Sequence, residues 1–126
     1  MLDVLLRREP FLALSALAVN AAVARRVDGL IAGHAVTTIA YLLQREVGSD
    51  GARDALRELM TDFHVAAVTD ECVRLALSSP LRDFEDAVTQ IAAAQAGAAL
   101  IVTRDTPDFA ASSVPAFLPE AFLAML

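Results

Sequence analysis

The chain holds a single cysteine, Cys72, so no disulfide can form within it. A lone cysteine suits a reducing compartment, and its ordinary role is that of a small buried apolar residue. Long hydrophobic runs are also missing. Arg, Asp or Glu interrupts each apolar stretch before it reaches the ~20 residues of a membrane span. Arg7 and Arg8 ahead of Phe11–Val23 imitate a secretory leader. However, Met1–Leu6 is already apolar, Glu9-Pro10 intervenes, and the stretch continues as an amphipathic helix. The expected location is cytoplasmic. No Gly-rich phosphate loop follows any apolar run and no GxSxG elbow occurs, which argues against P-loop and α/β-hydrolase chemistry. His34 and His64 stand apart from any CxxC or HxxxH context, so each is expected to be structural. Internal repeats, linkers and low-complexity tracts are absent too.

An excess of positive charge is the last thing lacking: the formal net charge is −6. Non-specific affinity for nucleic acid comes mostly from Lys and Arg on phosphates, so the balance does not describe a general nucleic-acid binder. Carboxylates gathered around a divalent cation would raise the negative count, and a basic partner would be attracted. Composition separates neither.

What is present is one domain of 126 residues, 56% hydrophobic and 21% charged. Glu9 to Arg26 has helical periodicity, and Leu30–Ala32 reads as a buried strand between Gly29 and Gly33. Thr37 or Thr38 is expected to cap a helix through Tyr41, Leu42 and Leu43 toward Gly48. Ser49-Asp50-Gly51 reads as a turn, with Asp50 capping a helix from Ala52 to about Asp62. Phe63–Val68 is a short strand, and Thr69 opens a helix to about Ser78. After the Ser79-Pro80 break, Asp83 begins the most strongly helical stretch, ending at Gly97. Leu100–Val102 is a strand, Thr106-Pro107 a helix start, Val114–Leu118 a last strand, and Pro119 opens a terminal helix. Helices alternating with short two-sided apolar strands predict an α/β domain with a parallel sheet covered on both faces.

Two acidic clusters fall where chemistry is expected. In Arg82-Asp83-Phe84-Glu85-Asp86, the carboxylates stand at the start of the long helix. There Asp83 is equally well a cap, and Glu85 and Asp86 suit the positive end of the dipole. Asp86 has Gln90 and Ala93 as its i+4 and i+7 neighbours, on a small-residue face that points it toward a crevice. The second cluster, Thr103-Arg104-Asp105-Thr106-Pro107-Asp108, directly follows a strand, at the edge where open parallel sheets bind ligands. Carboxylates collected at one strand edge repel one another, a cost offset where a hard divalent cation sits among them. Thr103 would orient a carboxylate or water through its hydroxyl. Arg82 and Arg104 would supply local positive charge, although both suit a solvated surface.

These residues in succession, Asp83-Phe84-Glu85-Asp86-Ala87-Val88, an alanine-rich helix to Gly97, Leu100-Ile101-Val102-Thr103-Arg104-Asp105, Asp108-Phe109 and Pro119-Glu120-Ala121-Phe122, resemble the second half of a PIN domain. Upstream, Leu2–Phe11 resembles the segment following that family's first strand, and Ala40-Tyr41-Leu42-Leu43 its second major helix. The resemblance implies a three-layer α/β/α domain, a Mg²⁺ or Mn²⁺ site of acidic residues, and endonucleolytic cleavage of RNA, often as the toxin of a toxin–antitoxin pair. It assigns Asp86 and Asp105 as metal ligands, Asp108 and Thr103 as catalytic companions, and Asp83 and Glu85 as auxiliaries. An RNA substrate, an antitoxin protein and a homodimer are the partners it implies.

Two departures accompany the resemblance. The family's opening strand, ending in Asp-Thr-Asn, has no counterpart, and the early-helix glutamate would fall near Ala40 or Tyr41. A start placed too late, at an internal methionine, is the simplest expectation, and a short degenerate copy the alternative. A chain without that central strand is expected to be less stable, or to borrow pairing through self-association. The competing functional expectation is a catalytically inactive PIN-like interaction module. A third is a plain α/β scaffold with turn aspartates.

Overall fold

The computed structural model describes residues 12–126, with side chains from residue 16. Helix α1 spans Leu12–Val23. The start predicted at Glu9 lies outside the described residues. Strand β1, Gly29–Ala32, leads directly into α2, Gly33–Asp62. Strand β2 is Phe63–Ala66, and α3 is Asp70–Ala76. Helix α4 runs Phe84–Gln95, followed by β3, Ile101–Val102, and a 3-10 turn at Thr106–Phe109. Strand β4, Ala116–Phe117, and α5, Pro119–Ala124, end the chain.

The long α2 revises two expectations. It begins at Gly33, so Thr37 and Thr38 lie inside it, where both hydroxyls donate back to the His34 carbonyl at 2.8 and 3.4 Å. A threonine bonded to a carbonyl one turn earlier is satisfied within the helix and caps nothing. The turn predicted at Ser49–Gly51 contracts to one residue, Gly48, at φ 77° and ψ 174°. A β-carbon is poorly tolerated at that φ, so glycine redirects the chain there and helix resumes at once.

Caps elsewhere follow the sequence. Thr69 Oγ1 accepts from the Cys72 amide at 3.1 Å, and Asp83 Oδ1 accepts from the Asp86 amide at 2.9 Å. Helix α4 closes on Gly97 at φ 77°, with Ala98 N donating to Ala93 O and Gly97 N to Ala94 O. That is the paired bonding of a Schellman end. Thr106 was expected as a cap, but it is already the first residue of the 3-10 turn. Asp105 takes the cap position, without a side-chain cap bond.

Pairing is parallel throughout the described residues. Strand β1 pairs with β2 from Gly29↔Phe63 to Ala32↔Ala66, and β3 pairs with β4 at Ile101↔Ala116 and Val102↔Phe117. Among the described residues these form two two-stranded sheets, where a single short parallel sheet was expected. The core divides likewise. Ala22, Ile31, Ile39, Leu43, Ala52 and Phe63 cluster around β1 and α2. Ala66, Cys72, Leu81, Ala87, Val88, Ala92 and Phe109 cluster around α4. Helix α4 packs on α3, β1, β2 and the 3-10 turn. Its fully buried Ala87 and Ala92 permit that close approach. Cys72 is 0% exposed, as expected of a core residue, and burial pushes its thiol pKa up. Among the described residues no helix is long and apolar enough to cross a membrane.

Candidate active site

Asp86 stands in the first turn of α4, its amide held by the Asp83 side chain, and its neighbours Ala87 and Val88 are buried. The same cap that starts the helix therefore fixes where Asp86 projects. Its carboxyl is partly buried, and its pKa is pushed up to about 6. Desolvation is the largest cause. Repulsion from Asp83, Asp108, Glu85 and Asp105 adds to it, in that order. Two segments more than a dozen residues apart thus direct their negative charge at one carboxyl. Of the four, Asp105 acts most weakly on Asp86. Asp83, Glu85, Asp105 and Asp108 are all exposed, so the cluster opens to solvent with Asp86 at its inner end.

The post-strand segment is held by its own backbone. Thr103 N donates to Phe117 O at 3.0 Å, which extends the β3–β4 ladder by one bond. The Thr103 hydroxyl accepts from the Asp105 amide at 3.0 Å. Thr103 thus orients Asp105 through the main chain. The Asp108 amide donates to the Asp105 carbonyl at 3.0 Å, which closes the turn carrying both aspartates.

The two arginines separate. Arg104 Nη1 meets Glu120 Oε2 at 2.9 Å, with the Arg104 side chain only 20% exposed. That pair ties the start of α5 to the Asp105 segment and withdraws Arg104 from the solvated role foreseen for it. Arg82 is exposed. Together with Pro80, Leu81, Asp83, Pro107 and Asp108 it lines a cleft of about 560 Å³ beside the carboxylates.

Sequence reasoning missed two polar connections behind Asp86. Thr89 Oγ1 donates to Glu85 O at 3.0 Å and lies 3.1 Å from His34 Nε2. With its one proton directed at Glu85, the Thr89 hydroxyl has lone pairs left to accept from the ring. The ring's Nδ1 is buried with no hydrogen-bond partner among the described residues. His34, expected to stand apart, is not isolated: it joins the start of α2 to α4. The other connection is Gln90, 8% exposed, whose amide donates to Ser113 Oγ at 2.6 Å. Two polar residues interrupting an alanine-rich helix were the available signal. His64 is exposed on β2.

As a cation site the donors fit in kind, since they are carboxylates whose mutual repulsion a hard divalent ion relieves. Among the described residues no three His, Cys, Asp or Glu side chains already converge into a cage. No acidic side chain stands at Ala40 or Tyr41, and Glu46 is exposed farther along α2.

No curated protein and no solved structure matches the chain. A family model described as the PIN domain matches residues 1–107. With that match over most of its length, and a mix of helices and short parallel strands that agrees with it, the chain belongs to the PIN-domain family, a family of nucleases that are generally divalent-metal dependent.

Proposed function

We propose that this chain is a metal-dependent endoribonuclease and the toxin of a toxin–antitoxin pair. The observation that carries the reading is the set of four carboxylates gathered around partly buried Asp86, whose pKa burial first and their repulsion second push up to about 6. Such a set is costly without a cation and useful with one. Asp86 and Asp105 would hold Mg²⁺ or Mn²⁺, with Asp108 supporting and Asp83 and Glu85 at the rim. When bound, the ion supplies an activated water and neutralises charge developing on the phosphoryl oxygens. The chain's own residues set the frame. Thr103 fixes Asp105, the Asp83 cap fixes Asp86, and Asp86 in the metal-free state gives up its proton only near pH 6, above the range of an ordinary aspartate. RNA is the substrate of this reading, and an antitoxin protein and a second copy are its further partners.

Titration with Mn²⁺ tests it. A metal held at a hundredfold excess over Kd should stabilise the fold by about 2.7 kcal/mol. Asp86→Asn and Asp105→Asn should each remove that shift and the cleavage of single-stranded RNA. If Mn²⁺ leaves the melting curve unmoved and neither substitution changes it, the catalytic reading fails. A specific observation favours a second reading, an inactive interaction module: no acidic group at Ala40 or Tyr41, and no three converged donors among the described residues. Tight binding of a protein partner without RNA cleavage would select that module.

A further inference from the structure

The cleft beside the carboxylates is built from two short segments, each anchored in the core cluster around α4. Leu81 and Phe109 are 7% and 6% exposed and lie in that one cluster, so the two walls share a foundation. Ser79 Oγ accepts from the Leu81 amide at 3.2 Å on one side. On the other, Ala110 N donates to Pro107 O at 3.2 Å and Ser112 N to Phe109 O at 2.9 Å. Pro80 and Pro107 restrict both walls further. The cleft is therefore preformed. Its volume, about 560 Å³, falls in the range of sites for small organic groups.

Its lining is divided by chemistry. Pro80, Leu81, Pro107, Ala110 and Ala111 present short apolar surfaces, while Arg82, Asp83 and Asp108 supply charge. Asp83 and Asp108 are the two carboxylates that act most strongly on Asp86, so an occupant lies next to the chemistry of the nuclease reading.

Building on that reading, we propose that this cleft seats the nucleobase adjoining the scissile phosphate, with Arg82 contacting the phosphate of the same nucleotide. A nucleobase, apolar on its faces and polar at its edge, suits a lining divided between apolar and charged side chains. Arg82 is exposed at this cleft, whereas Arg104 is engaged by Glu120. Carboxylates only accept hydrogen bonds, so where Asp83 or Asp108 meets the 4-position of a pyrimidine, the amino group of cytosine is favoured over the carbonyl oxygen of uracil.

Ala110 and Ala111 are exposed, so a large side chain at either fills the cleft without entering the core. The test uses the full chain, Mn²⁺ and single-stranded oligoribonucleotides differing only at one base beside the cut. Ala111→Leu should raise KM roughly tenfold, the low end of what a mis-sized apolar pocket costs, with kcat and the Mn²⁺ melting shift retained. Ala110→Leu should repeat the effect from the neighbouring position. Arg82→Ala should reduce the salt dependence of RNA affinity by about one ion. A cytosine-bearing oligonucleotide should be preferred to its uracil counterpart in the wild type, and the preference should vanish in Ala111→Leu. Wild-type KM in either folded variant, at Ala110 or at Ala111, overturns the subsite while leaving the nuclease reading intact. A wild-type chain that binds Mn²⁺ but neither binds nor cuts RNA overturns both.

Discussion

At the scale of single residues, Asp86 couples stability to pH. Its folded pKa of about 6 lies above the ordinary 3.8, so the folded state holds the proton more tightly than the unfolded chain between those values. The contribution is favourable below the unfolded pKa and is lost as pH rises through the folded one. In metal-free buffer, Asp86→Asn should therefore melt higher than the wild type at pH 7 and show a shallower decline between about pH 4 and 6. Thermal melts across that range in EDTA check it, and an unchanged slope would contradict the burial assigned to Asp86. Ser113→Ala tests the other polar contact. It strips the Gln90 amide of its partner at 8% exposure and should cost about 1–2 kcal/mol in urea unfolding. Asp86 was legible in sequence because it sits one helical step from an alanine-rich face. Gln90–Ser113 and His34–Thr89 were not, since pairs separated by 23 and 55 residues leave no periodic trace.

At the scale of elements, the first turn of α4 carries two duties that can be pulled apart. Asp83 caps the helix and also raises the Asp86 carboxyl by repulsion. Asp83→Ala removes both and should lose about 1 kcal/mol of capping, partly offset by relief of charge. Asp83→Ser keeps an oxygen for the Asp86 amide and removes the charge. It should equal or exceed the wild type in Tm at neutral pH while lowering the Asp86 pKa, which NMR titration of the carboxyl carbon would read. A serine variant as unstable as the alanine one would show that the charge itself holds the turn. Caps and glycine ends were legible at Thr69, Asp83 and Gly97 because each is a local bond between near neighbours. The start of α2 was not. Thr37 and Thr38 look like caps by type, and nothing local says their hydroxyls turn inward to the His34 carbonyl.

At the scale of the whole molecule, the alternation of helix and apolar strand was enough to predict an α/β domain with parallel pairing. It did not predict that the described strands would divide into two sheets. Which strands become neighbours depends on contacts far apart in sequence, and strands of two to four residues carry little register information. Ala92, 0% exposed in α4, lies in the core cluster that also contains Ala66 of β2 and Phe109 of the 3-10 turn. Ala92→Leu should therefore cost about 1–3 kcal/mol by overpacking, measured by urea unfolding.

The divided pairing also bears on how the fold loosens. Among the described residues, the two-residue ladder of β3 and β4 shares no backbone bond with the β1–β2 pair, so either can come apart without first dragging the other open. Amide deuteration should accordingly run on two clocks, with Ile101 and Thr103 exchanging well ahead of β1. Because Asp105 rides on the faster pair and Asp86 on α4, the acidic mouth is the seam along which partial opening would separate one from the other.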